Sequence, residues 1–191
     1  MSAIPVSRLS PSQYLEIERA AETKSEYFDG QMFAMSGGLL PHAFISANLV
    51  TELNAALRGT KCRATGSDLR VGVSKQGPFF YPDVSVLCGD AELADDWKDT
   101  LLNPILIVEV LSPSTEAFDR GKKFAAYRSI PALREYVLVS QSEAYIEVCS
   151  KGPGEAWSFT EFAGLQAVCA LPSVRLEIPL NAIYRDVPLD A

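Results

Sequence analysis

The chain has 191 residues, 48% of them hydrophobic, with four cysteines, one histidine and a net charge of −7. This is the size of one globular domain, expected over residues 1–191, and no apolar run reaches the ~18 residues of a membrane span. A single histidine excludes zinc chemistry built on several imidazoles, and the acidic total argues against a general nucleic-acid binder, which needs clustered Lys and Arg to neutralise phosphates.

The opening Met-Ser-Ala-Ile-Pro lacks a basic stretch followed by an apolar one, so no signal peptide is expected and the expected location is cytoplasmic. Ser10-Pro11-Ser12 reads as a cap that opens a short helix running to about Ala20. Ser25 to Phe28 and Gln31 to Met35 are strand-like, and Asp29-Gly30 between them is a hairpin turn signal. From His42 to Arg58, Phe44, Ile45, Leu49, Leu53, Ala56 and Leu57 recur at helical spacing, and Gly59 ends the pattern.

Strand signals follow at Cys62 to Thr65, Leu69 to Val73 and Phe79 to Leu87, with Pro82 marking an edge, a bulge or a strand start. Asp90, Glu92, Asp95, Asp96 and Asp99 make an acidic connection. Ile105 to Leu111 is a continuous apolar run broken by Glu109, as expected of a buried central strand. A helix from Thr115 or Glu116 to Ser129 carries the basic stretch Arg120, Lys122, Lys123 and Arg128, and Pro131 closes it. Glu135 to Ser140 and Tyr145 to Cys149 are further strands, and short strands and a helix beginning near Pro179-Leu180-Asn181 complete the chain. A helical crossover between the Ile105 and Glu135 strands permits them to be parallel. Cys62, Cys88, Cys149 and Cys169 form no C-x-x-C pair and are expected to be reduced core residues.

Glu109 is the most informative residue, because a buried carboxylate must be paired, protonated or bound to a cation. It is either a structural ion pair, a strand end in water, or half of a site. Asp83, in Tyr81-Pro82-Asp83, is an ordinary strand-start aspartate or the second half. Two inward carboxylates on adjacent strands make a hard-oxygen site for Mg²⁺ or Mn²⁺. A cation there would polarise a phosphodiester, and a nearby lysine would orient water and stabilise developing charge. The position two residues after the glutamate is Leu111. Asp119, Lys123 and Tyr127 share one helix face at four-residue spacing, either as a solvated face or as the replacement.

Tyr81-Pro82-Asp83, the P-x-L-I-V-E-V run from Pro104 to Val110, Leu111-Ser112-Pro113-Ser114-Thr115, Asp119-Arg120-Gly121 with Lys123 and Tyr127, and Arg134-Glu135-Tyr136 with Leu138-Val139 resemble the Uma-type restriction endonucleases of the PD-(D/E)XK superfamily. Glu26 to Gly30 and His42 at a helix start match as well, so the resemblance covers roughly Ser10 to Tyr184.

It implies an α/β restriction-endonuclease-like fold, a mixed central sheet flanked by helices, with an N-terminal helix and hairpin extension. It implies a metal-dependent endonuclease (a hydrolase acting on DNA) with Asp83 and Glu109 on Mg²⁺ or Mn²⁺, Lys123 as the migrated lysine and Glu26 as an additional acid. Lys123 is preferred to Lys122, which lies about a hundred degrees round the helix. His42, Tyr127 and Asp68 are accessory candidates, with a structural or capping His42 as the plainer role. A homodimer is expected, since cutting both strands commonly needs two sites. The competing expectations are a non-catalytic nucleic-acid or protein-binding module that keeps the fold, and a structural oligomer whose carboxylates only pair with lysines.

Overall fold

A computed structural model describes residues 8–189. The first element is α1 (Pro11–Ala20), where the Ser10 side chain accepts from the Gln13 N–H and the Gln13 side chain answers at the Ser10 N–H. This reciprocal box satisfies two donors that a helix start would otherwise leave bare. The hairpin β1 (Ser25–Phe28) and β2 (Gln31–Ala34) follows. Asp29 and Gly30 both take positive φ, 49° and 77°, as the tight turn that matches strand twist requires. Next is α2 (Leu40–Ala56), which starts two residues earlier than its apolar period and buries Ile45, Leu49 and Leu53.

The run Phe79 to Leu87 reads as one strand but is two. Phe79–Phe80 (β5) and Val84–Cys88 (β6) lie in different sheets, broken across Tyr81-Pro82-Asp83. With β3 (Cys62–Gly66), β4 (Arg70–Gly72), β7 (Thr100–Leu101), β8 (Leu106–Leu111), β9 (Glu135–Ser140), β10 (Tyr145–Lys151) and β11 (Trp157–Ala163), two sheets form. The larger has the order β11-β10-β9-β8-β6-β3 and the smaller β2-β1-β5-β4-β7. The fold class is the expected mixed α/β arrangement. β8 is central, antiparallel to β6 and parallel to β9. The parallel pair is possible because the intervening helix supplies the crossover.

That helix is continuous but not uniform. α3 (Glu116–Phe118) and α4 (Phe124–Tyr127) are joined by a wider π-helical stretch, Asp119–Lys123. The antiparallel pair β12 (Val168–Leu171) and β13 (Leu176–Pro179) and the short α5 (Leu180–Ile183) complete the fold.

Alternation along β8 sets the layers, because successive side chains face opposite sides of a sheet. Leu106, Val108 and Val110 pack with α2, α5 and the β12–β13 pair. Ile107 and Leu111 pack with Phe124, Tyr127 and Phe80, on the side of the crossover helix and the smaller sheet. Glu109 lies between the last two and so faces the helix.

The expectation of four reduced thiols is corrected. The β3–β6 register places Cys62 opposite Cys88, and the two form a disulfide, while Cys149 and Cys169 are free and buried. A spacing of 26 residues with no motif gave no hint of the pairing; only the strand register brings the two together. Among the described residues, no helix is long and apolar enough to cross a membrane.

Candidate active site

Asp83 immediately precedes β6, and Glu109 lies in β8. The β6–β8 register pairs Val84 with Val108, so one step further sets Asp83 opposite Glu109. Asp83 Oδ2 accepts from the Val110 N–H at 2.7 Å, which locks this carboxylate to the edge of β8. His42, near the start of α2, reaches Asp83 Oδ1 with Nε2 at 3.3 Å. Glu26 comes from β1 in the other sheet, and its Oε1 accepts from the Tyr81 N–H at 3.1 Å. The break at Pro82 thus has a positional role: it lets one segment serve both sheets and presents Asp83 and the Tyr81 N–H at their junction.

Lys123 sits at the centre of this arrangement. Its Nζ lies 2.9 Å from Glu109 Oε1, 3.0 Å from Glu26 Oε1 and 3.5 Å from Asp119 Oδ1. The Tyr127 O–H donates to Glu109 Oε1 at 3.2 Å. Asp119, Lys123 and Tyr127 do share one face, and it is buried, whereas Arg120, Gly121 and Lys122 are exposed. This excludes the solvated-face alternative. The π-helical stretch carries both Asp119 and Lys123, and such widened turns recur at functional sites.

The charges do not balance. Among the described residues, Lys123 alone faces Glu26, Glu109 and Asp119, with Asp83 beside them. Burial, together with the charges of Asp119, Asp83 and Glu26, raises the Glu109 carboxyl well above its ordinary pKa, although Lys123 pulls the other way. Asp119 is raised for the same first reason, its burial. Burial opposes the charge on Lys123, but Glu109, Glu26 and Asp119 outweigh it and hold the ammonium above its usual value. The hydrogen bond to Asp83 raises His42 against the effect of its burial.

These residues fit a divalent cation by chemistry and by charge. No group of three or more His, Cys, Asp or Glu converges as a ligand set among the described residues. Mg²⁺ does not require one, because it typically takes one or two carboxylates and fills its octahedron with water and phosphate oxygens. Asp83 and Glu109 meet that need, and an added cation would offset the charges of Asp119, Asp83 and Glu26 that, after burial, raise the Glu109 carboxyl.

The site opens into a cleft of ≈ 1420 Å³ between the two sheets. Asp68 lies on its rim, fully exposed and paired with Lys24 at 2.6 Å, so it stands apart from the carboxylate group. Asp119 is the acid that sequence reading treated only as a spacing marker. Its burial was not foreseeable, because the helix face alone did not say which side met the sheet. Of the basic stretch Arg120, Lys122, Lys123 and Arg128, only Lys123 lines the cleft, and Arg120 binds Glu116 at 2.7 Å and Glu147 at 2.6 Å.

Relatives and structural neighbours agree with this architecture. Two uncharacterized proteins of Synechocystis sp. are similar to the chain. One, slr1290, is 39% identical over 183 residues, covering 95% of this chain and 94% of its own. The other, sll1609, is 33% identical over 159 residues, covering 83% and 90%. A crystal structure from Anabaena variabilis ATCC 29413, described as "a putative nuclease belonging to DUF820", superposes with a TM-score of 0.75 at 18% identity, covering 92% of this chain and 97% of that one. At that identity the likeness establishes the fold alone. The family model Uma2, described as "Putative restriction endonuclease", matches residues 11–181, and the chain therefore belongs to the Uma2 family.

Proposed function

We propose that this chain hydrolyses phosphodiester bonds in DNA, with Mg²⁺ or Mn²⁺ held by Asp83 and Glu109. The observation that carries the reading is the buried excess of carboxylate over cation around Lys123, at the meeting point of β6, β8 and the crossover helix. A structural ion pair has no need of three acids around one ammonium with a fourth, Asp83, beside them, whereas a cation site does. The cation, when bound, supplies Lewis acidity toward the phosphodiester and makes an attacking water more acidic.

The protein's own groups divide the remaining work. Asp83 is held by the Val110 N–H and His42, so its orientation is fixed before any ligand arrives. The Tyr127 O–H and Lys123 fix Glu109 in the same way. Lys123 carries its full positive charge and donates hydrogen bonds toward negative charge that develops at the reacting phosphate. Glu26, within 3.0 Å of Lys123, orients that ammonium.

The test is purified protein with supercoiled and single-stranded DNA, with Mg²⁺, Mn²⁺ or chelator, alongside a thermal melt at rising metal concentration. Metal-dependent cleavage and a rise in melting temperature that continues with the logarithm of metal concentration above the Kd are expected. Ligand bound only to the folded state stabilises by about 2.7 kcal/mol at a hundred times its Kd. A melt unmoved by either metal, with no cleavage of either DNA, overturns the reading in favour of a binding module that keeps the fold.

A further inference from the structure

The cleft that exposes the carboxylates has an unusual wall for an enzyme of nucleic acid. Its acidic lining, Glu22, Glu26, Asp68, Asp83, Glu109 and Asp119, faces only two lysines among the described residues. Both are committed, Lys24 to Asp68 and Lys123 to Glu26, Glu109 and Asp119. Beside these acids part of the lining is apolar and open to solvent: Phe33, paired with Glu26 across the β1–β2 hairpin, is 46% exposed, Met35 36% and Leu39 66%. All three line the same cleft as Asp83 and Glu109.

Duplex DNA is held mainly through its phosphates by Lys and Arg, with counterion release. This cleft cannot supply that. Unpaired bases offer another handle, since every base has an apolar face that stacks on an aromatic ring without regard to sequence. Phe33 lines the same cleft as Asp83 and Glu109, so it lies within reach of a strand bound there.

Building on the hydrolase reading, we propose that the cleft takes a DNA strand with unpaired bases, and that Phe33 is its stacking platform, flanked by Met35 and Leu39. Affinity then comes from stacking and from the cation at the carboxylates, and depends weakly on salt.

The experiment is fluorescence anisotropy with labelled oligo(dT) and a labelled blunt hairpin duplex, at two salt concentrations, with Ca²⁺ replacing Mg²⁺. Oligo(dT) should bind more tightly, with a shallow salt slope. Phe33→Ala should weaken it by about 5- to 150-fold, the loss of one stacked base, and Phe33→Trp should restore it. Phe33 is half exposed, so both variants should melt like the parent.

Equal or tighter duplex binding with a steep salt slope overturns the proposal. So does oligo(dT) affinity that Phe33→Ala leaves unchanged, or a concentration-dependent dimer in light scattering that Phe33→Ala abolishes, since a second copy then covers this apolar lining. Metal-dependent cleavage of duplex with Phe33 silent sinks this inference and spares the hydrolase reading. Phe33-dependent oligo(dT) binding without cleavage by any metal does the reverse.

Discussion

Two charge clusters in this molecule use the same functional groups and arrive at opposite electrostatics. In the first, Arg70 and Arg19 meet Asp99 and Asp95 beneath α1, with contacts of 2.7–2.9 Å. Arg70 is almost fully buried and also bonds the Thr100 and Tyr81 hydroxyls. Burial raises Asp99, but hydrogen bonds from Arg19 and the charge of Arg70 outweigh it and hold the carboxyl well below its ordinary value. In the second, Lys123 meets Glu26, Glu109 and Asp119, and there both Glu109 and Asp119 are raised. The first cluster matches two guanidinium groups to two carboxylates, although the buried Arg70 Nη2 makes no hydrogen bond among the described residues, and it fastens the N-terminal helix to the smaller sheet. The second holds more acids than cations, an excess that the proposed metal would offset. Arg70 and Lys123 are both buried, but Asp95 and Asp99 reach solvent while Glu109 and Asp119 do not, so the burial of the acids and the ratio of cations to acids together separate the two clusters.

The largest expected effect breaks the first cluster. Arg70→Met leaves Asp99 without its buried partner and takes away the hydrogen bonds to Thr100 and Tyr81; removing one member of a fully buried pair typically costs ~3–5 kcal/mol, an upper bound here because Asp99 is 33% exposed and keeps Arg19. Urea unfolding should report a loss of up to that size, unchanged by Mg²⁺. A loss below ~1 kcal/mol would mean that Arg19 alone holds the cluster together.

Next comes Lys123→Met. It removes the one ammonium from the second cluster, and cleavage should fall ~10²–10³-fold, the usual worth of one charged group at a developing charge. The burial of Lys123 makes this truncation structurally costlier than its helix position suggests from sequence. Rates should therefore be compared at a temperature where circular dichroism finds both proteins folded. Glu109→Gln is the companion: it keeps the shape of the side chain, removes a charge that the cluster holds in excess, and should weaken the metal-induced rise in melting temperature. If Lys123→Met cleaves like the parent, the ammonium is structural.

The two clusters should also answer pH in opposite senses when metal is chelated. The lowered pKa of Asp99 means that its stability is present above its unfolded value, near ~3.9, and is lost as pH falls toward the folded one. The raised pKa values of Glu109 and Asp119 mean that the folded state keeps protons the unfolded state has released. Their contribution is complete below the unfolded pKa and declines as pH rises through the folded one. Urea midpoints from strongly acidic to mildly alkaline pH should show both limbs. Asp99→Asn should flatten the acid limb and Glu109→Gln the alkaline one. A Glu109→Gln profile that overlays the parent's would sink the charge-excess argument.

How much of this was legible from sequence follows from what each residue depends on. The capped α1, the Asp29-Gly30 hairpin and the buried β8 were legible because local chemistry decides them: a cap, a turn with two positive φ angles, an apolar run. Asp83, Glu109 and Lys123 were legible as a set through their spacing and family resemblance, and the register of β6 against β8 brings them together. Three features were not legible. The division of Phe79 to Leu87 between two sheets depends on which partners each half finds, and Pro82 marked only that something happens there. The Cys62–Cys88 pairing depends on register. The acidic cleft with its partly apolar lining depends on tertiary placement: Arg120 pairs with Glu116 and Glu147, while Phe33 and Leu39, unremarkable in sequence, end beside the carboxylates.

The smallest expected effect is the sharpest check on the helix-face assignment. Lys122 is adjacent to Lys123 in sequence and identical in chemistry, yet exposed, about a hundred degrees round the helix. Its side chain is absent from the cleft lining, where Lys123 is present. Lys122→Ala should therefore change stability by no more than ~0.5 kcal/mol, as surface substitutions usually do, and leave the cleavage rate within a few-fold of the parent. What it can alter is long-range attraction for phosphate, seen as a slightly shallower dependence of DNA affinity on salt. The comparison needs both variants in one assay, because a common loss of positive charge is then subtracted and only the difference in position remains. If Lys122→Ala abolishes cleavage and Lys123→Met does not, the buried ammonium belongs to the fold, the reacting phosphate is met from the exposed side of the helix, and the second cluster is a fastener like the first.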